Sequence, residues 1–167
     1  TANIGVDAGG INFNTRTGDD LLTGSNGRDT LEGGDQADTI NGGRGDDIIS
    51  MYEDIWRPDA GSVTPDAYRD VLILDDNFGT DRVRAFQVGD VSGRLGDRLS
   101  VSNLHDGQGN RVDVNDVTVS SSNGTAMLVF PNGERLILEG VNPSTLTQAR
   151  LIEMGIPAST ARAAAQS

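Results

Sequence analysis

Residues 15–50 repeat every nine positions, and that period limits the possible folds more than any other feature of the chain. The four repeats begin at Thr15, Gly24, Gly33 and Gly42. Their sixth positions are Asp20, Asp29, Asp38 and Asp47, and their eighth are Leu22, Leu31, Ile40 and Ile49. The fourth position is glycine in three repeats (Gly18, Gly27 and Gly45), with Gln36 the exception. A flexible Gly/Asp linker could share this composition. It would have no reason to keep an aliphatic residue at one fixed position.

The first six residues of each repeat are turn formers, because glycine reaches positive φ and admits close backbone approach. The last three set one apolar side chain between mostly polar ones, which suits a very short strand with one buried face. Turn plus strand is half a coil, so two repeats make one eighteen-residue turn of a flattened solenoid. Equivalent residues then stack about 4.8 Å apart. On that count Asp20 lies over Asp38 on one edge, and Asp29 over Asp47 on the other. Two carboxylates about 5 Å apart repel by about 3 kcal/mol at an effective dielectric of about 20. The turns also expose carbonyl oxygens that lack strand partners. Such an oxygen-only site favours calcium over a transition metal, and calcium's variable coordination over the strict octahedron of magnesium. The expected calcium-site residues are the four aspartates with Gly18, Gly27 and Gly45 and the repeat-opening Gly24, Gly33 and Gly42. Two complete sites are expected, with half-sites at the ends of the stack.

Composition agrees with a thin solenoid. Only 35% of residues are hydrophobic and 4% aromatic, too few for a thick core. The net charge of −12 argues against nucleic acid and anionic membranes as partners. Without cysteine there are no disulfides or thiolate metal sites. No stretch resembles a signal peptide or is long enough to span a bilayer. We find no nucleophile–base set, zinc motif or phosphate loop, so the chain is read as a non-catalytic, monomeric module. Starting at Thr1, it is read as cut from a longer protein.

Five segments follow from this pattern. Residues 1–14 form a degenerate cap coil, with Phe13 at the apolar position and Ile11 in the aspartate slot. Residues 15–50 are the repeats, and 51–67 a covering loop in which Trp56 is a hydrophobic plug or a sugar platform. Residues 68–142 extend the sheets, with strands at 71–74, 82–86, 97–101, 117–119, 126–130 and 135–138. Asn132-Gly133 signals a type I′ hairpin. Between the first two of these strands, Asp75, Asn77, Gly79 and Asp81 form either a plain turn or an extra calcium loop. His105 lies in a solvated loop. In 143–167 a helix is expected over 145–154, with Leu146, Ala149 and Ile152 on one face, then a short helix over 159–164.

The repeats at 15–50 resemble the RTX nonapeptides of proteins exported by bacterial type I secretion. Asp81-Arg-Val-Arg-Ala-Phe86 resembles the D-x-I-x-x-F strand that follows such repeats. Gly96-Asp-Arg-Leu-Ser100 and Gly133-Glu-Arg-Leu-Ile-Leu-Glu-Gly-Val141 are similar to its later strands. The resemblance implies an all-β fold: a right-handed parallel β-roll with calcium between turns, extended by further strands, a hairpin and a short C-terminal helix. It also implies a C-terminal export signal, the type I secretion machinery as partner and an extracellular location. The layout is similar, too, to the R-modules of mannuronan C-5 epimerases, which contact alginate. That second resemblance implies an anionic-polysaccharide role for Arg16, Arg28, Arg44, Arg82, Arg84 and Arg135, because a guanidinium fork suits uronate carboxylates. The reading needs those arginines on one face. Otherwise they are solvated partners of nearby aspartates.

Overall fold

The computed structural model describes residues 10–52 and 67–159. The loop position of Trp56 lies outside the described residues, as does the helix expected over 159–164 apart from Ser159.

Each nonapeptide ends in a three-residue strand: β2 (Leu21–Thr23), β3 (Thr30–Glu32), β4 (Thr39–Asn41) and β5 (Ile48–Ser50), preceded by β1 (Asn12–Asn14). Successive strands alternate between two sheets, and strands eighteen residues apart pair in parallel. Leu22 lies beside Ile40 in one sheet, and Phe13 beside Leu31 and then Ile49 in the other. The stack continues past the repeats through β6 (Val71–Asp75), β7 (Thr80–Arg84) and β8 (Arg98–Asn103). Strands β9 (Thr118–Ser122), β10 (Thr125–Val129) and β11 (Arg135–Leu138) complete it. One sheet runs β2-β4-β6-β8, and the other runs β1-β3-β5-β7-β11-β10-β9. β11 is parallel to β7, while β10 and β9 add as antiparallel strands. The fold is a parallel β-roll extended by further strands.

The period-nine aliphatics form the core. Leu22, Leu31, Ile40 and Ile49 are at most 2% exposed, as are their stacked successors Leu72, Val83 and Leu99. Each such burial stabilises by about 1.5–3 kcal/mol. Beyond the repeats the core widens, and Phe78 meets Phe130 edge-on with ring centroids 5.6 Å apart.

Two local expectations are corrected. The β10–β11 connection is not a type I′ turn. The N–H of Gly133 donates to the Phe130 carbonyl, that of Phe130 donates to the Glu134 carbonyl, and in this turn only Gly133 has positive φ. That is a three-residue loop with a left-handed glycine. Pro131, its φ held near −65°, takes the first central position of a type I turn that starts one residue earlier, at Phe130, and Asn132 lacks the positive φ that type I′ requires. The C-terminal helix is also shorter than expected. Asn142 caps a 3₁₀ turn over Pro143–Thr145, and Thr147 then starts α1 (Gln148–Glu153) by accepting the Arg150 N–H. The new start rotates the buried face: Leu151 and Met154 are inside, whereas Ala149 and Ile152 are exposed. Beyond α1, the Met154 carbonyl accepts the Leu99 N–H at 2.6 Å and so covers the β8 edge.

Candidate metal centre

Both edges of the roll carry a ladder of aspartates. Turns 24–29, 42–47 and 76–79 lead from the four-stranded sheet to the seven-stranded one, and this edge holds Asp29, Asp47 and Asp81. The opposite edge holds Asp20, Asp38, Asp70 and Asp97. On the first edge the Asp29 N–H donates to Asp47 Oδ1 at 2.8 Å, and the Asp47 N–H to Asp81 Oδ1 at 3.0 Å. On the second, the N–H groups of Asp20, Asp38 and Asp70 donate to Asp38, Asp70 and Asp97 at 2.9, 2.8 and 3.1 Å. The Ile11 N–H fills the vacant aspartate slot by donating to Asp29 Oδ1 at 2.8 Å. The Gln87 N–H closes the other ladder on Asp97 Oδ2 at 2.7 Å.

This geometry amends the repulsion argument. The carboxylates stack in the counted register, but one oxygen of each pairing accepts a backbone N–H from the neighbouring turn, a charge-assisted bond that offsets part of the repulsion. What remains is the second oxygen. Asp47 Oδ2 is buried and has no hydrogen-bond partner. A buried, unpaired carboxylate oxygen is unfavourable by several kcal/mol, at roughly the scale of a broken buried ion pair.

The turns are shaped around these oxygens. A Cβ at Gly24, Gly33 or Gly42 would lie 2.5 Å from Oδ2 of Asp29, Asp38 or Asp47 respectively. The repeat-opening glycines therefore keep a cradle free for the carboxylates. The fourth-position glycines serve the backbone: Gly18 and Gly45 have φ of 114° and 125°, and a Cβ on Gly45 would lie 2.4 Å from the Gly27 carbonyl oxygen. Gln36 occupies the same slot with φ of 84°, a conformation that costs a non-glycine residue about 1–2 kcal/mol. Gln36→Gly is expected to stabilise the calcium-loaded protein by about 1 kcal/mol, read as a higher urea midpoint.

Among the described residues, no three His, Cys, Asp or Glu side chains group as a metal cluster. A cation between turns would thus be held by one or two carboxylates together with backbone carbonyls. That hard, all-oxygen set fits calcium.

Burial pushes Asp47 up to about 7 and Asp81 up to about 8, and the neighbouring carboxylates of Asp46, Asp29 and, for Asp81, Asp47 push the same way. The backbone N–H each accepts opposes the shift. Both groups start from 3.8, so the folded calcium-free protein binds more protons than the unfolded chain between about pH 4 and pH 8. This contribution is fully present below about pH 4 and is lost as pH rises through about 8. In chelator, the far-UV β signal lost near neutral pH is therefore expected to return in part as pH falls toward 5.

Residues outside the repeats complete the picture. Asp70, Asp81 and Asp97 join the ladders although their spacing breaks the eighteen-residue count. Of the two alternatives for Asp75, Asn77, Gly79 and Asp81, the structure has the plain turn. Asp75 accepts the amides of Asn41 and Asn103 at 2.7 and 2.9 Å, Asn77 is exposed, and Asp81 is buried in its ladder. His105 is tied down rather than simply solvated, its Nδ1 lying 2.9 Å from Asp76 Oδ2.

The arginines do not share a single face. Arg28 and Arg44 lie on the Asp29 edge, Arg16 on the opposite edge. Arg82, Arg84 and Arg135 share a face of the seven-stranded sheet by register. There Glu139 bridges Arg82 and Arg84 at 2.8 and 2.9 Å, so their partner is a glutamate rather than the aspartates expected.

Residues 15–49 match the family model of the RTX calcium-binding nonapeptide repeat, in four copies. The chain thus carries an RTX module, and repeats of this class are non-catalytic calcium-binding elements. Comparison with curated proteins yields no match.

Proposed function

We propose that this module folds when calcium binds outside the cell, and that it serves as the C-terminal folding and type I secretion unit of a larger secreted protein. The observation that carries the reading is the paired aspartate ladder: Asp29, Asp38 and Asp47 are buried within glycine cradles, and Asp47 Oδ2 has no hydrogen-bond partner. Where calcium is scarce, these carboxylates oppose compaction and the chain stays loose enough to thread an export channel. Calcium outside the cell binds the folded form alone and stabilises it by mass action. Extracellular calcium modules bind at about 10⁻⁴–10⁻³ M, which suits such a switch. RTX repeats are typical of secreted bacterial proteins, and among the described residues no helix is long and apolar enough to cross a membrane.

Far-UV circular dichroism tests the folding step. Addition of excess chelator near neutral pH is expected to remove most of the β signal, and millimolar calcium to restore it. An unchanged spectrum would defeat the proposal.

A second reading, binding of alginate or a related polyuronate, draws its support from Arg28 and Arg44 on one edge. Arg44 borders an open groove of about 680 Å³ with Asn26 and Asn41. Asp75 and Asp76 line the same groove and oppose a polyanion. Titration of oligo-alginate into the calcium-loaded protein separates the two readings.

A further inference from the structure

We propose that Glu134 is a calcium ligand that closes the last inter-turn site on the edge of Asp29, Asp47 and Asp81. The inference rests on the calcium reading above and extends it to a residue outside the repeats.

Parallel pairing stacks Gly27, Gly45, Gly79 and Glu134 in one column. Within it, backbones touch. A Cβ on Gly45 would lie 2.4 Å from the Gly27 carbonyl oxygen, and one on Gly79 would lie 2.1 Å from that of Gly45. Glu134 is the first side chain in the column, and it stands where the stack of turns ends. It folds back onto the last turn: Oε1 accepts the Asn77 N–H at 3.2 Å. Its other oxygen, Oε2, is buried with no hydrogen-bond partner, in a residue only 6% exposed. A buried carboxylate oxygen so placed is unfavourable unless a cation or water meets it.

The column explains why a carboxylate stands here. Between the earlier turns, each turn is covered by the backbone of the next. After Gly79 the column receives no further glycine among the described residues; the strand that arrives there, β11, brings a glutamate. A carboxylate oxygen is a hard donor, and at this position it supplies both an oxygen and a negative charge. Calcium accepts such a donor alongside backbone carbonyls.

Two measurements on the full chain test the proposal. Crystals grown in calcium should show an anomalous peak about 2.3–2.6 Å from a Glu134 carboxylate oxygen. Calorimetric titration of Glu134→Gln should find one calcium equivalent fewer than in the wild type, with the remaining sites intact. Calcium between the nonapeptide turns but none at Glu134, with unchanged stoichiometry in the variant, would overturn the proposal and leave the calcium-folding reading in place. That result would mean that water satisfies the carboxylate. No bound calcium anywhere would overturn both. If the variant fails to fold, the wild-type map decides alone.

Discussion

A single methyl group at Gly24 is expected to unstack the roll. In Gly24→Ala the new Cβ would lie 2.0 Å from the Gly42 carbonyl oxygen and 2.5 Å from Asp29 Oδ2. Real contacts are never so short, so something must move. The Gly42 oxygen belongs to the backbone of the next turn, and the Asp29 carboxylate is held by three donors. Neither can rotate away, so relief requires turns 24–29 and 42–47 to separate. Separation lengthens the Gly24 N–H to Asn41 carbonyl bond, now 2.8 Å, and the bond from Asp29 to Asp47 with it. We expect a loss above about 3 kcal/mol, at the upper end for overpacking. Gly107→Ala is the control: its Cβ would find only Asn132 Oδ1, at 3.4 Å, and should change stability by less than about 0.5 kcal/mol. Urea midpoints of the two variants in millimolar calcium make the comparison.

Asp29→Ala should be equally damaging for a different reason. The Asp29 side chain accepts the Ile11 N–H, the Ser25 N–H and the Ser25 hydroxyl, and the residue is fully buried. Removing it strands the two buried Ser25 donors and the partly buried Ile11 N–H. Each buried unsatisfied group costs about 1–3 kcal/mol, so the sum approaches the whole stability of a small domain. Asp29→Asn separates the charge from the hydrogen bonds. The amide keeps shape and one acceptor but turns an NH₂ toward a Ser25 donor and cannot offer calcium a full charge. The expected order of calcium-loaded stability is wild type, then Asn, then Ala. If Asn matched the wild type in both stability and calcium affinity, the carboxylate's charge would have no part in holding the turns.

Much of this roll is legible in the sequence because nine-residue spacing expresses a physical repeat directly. The aliphatic at position eight becomes the stacked core, and the aspartate at position six becomes the ladder. The count fails after Ser50. Asp70, Asp81 and Asp97 follow their predecessors by 32, 34 and 27 residues, because longer connections intervene. The signal that survives is a tripeptide: Asp70-Val-Leu72, Asp81-Arg-Val83 and Asp97-Arg-Leu99 repeat the Asp-x-aliphatic pattern of Asp38-Thr-Ile40. Read that way, both ladders could have been followed to their ends. Local competition accounts for other differences. Pro131 overrides the Asn-Gly hairpin signal, and Thr147 restarts a helix that apolar spacing alone would begin earlier. Glu134 gave no sequence signal, because its place in the glycine column depends on β11 crossing over to pair with β7.

Amide hydrogen exchange at the ladder positions tests most directly whether calcium locks the turns together. The N–H groups of Asp20, Asp29, Asp38 and Asp47 each donate to a carboxylate one turn away. With calcium, all four should exchange slowly; in chelator near neutral pH, all four should approach unfolded-chain rates together. Equal protection in both conditions would contradict the account, because the ladders would then stand without the ion.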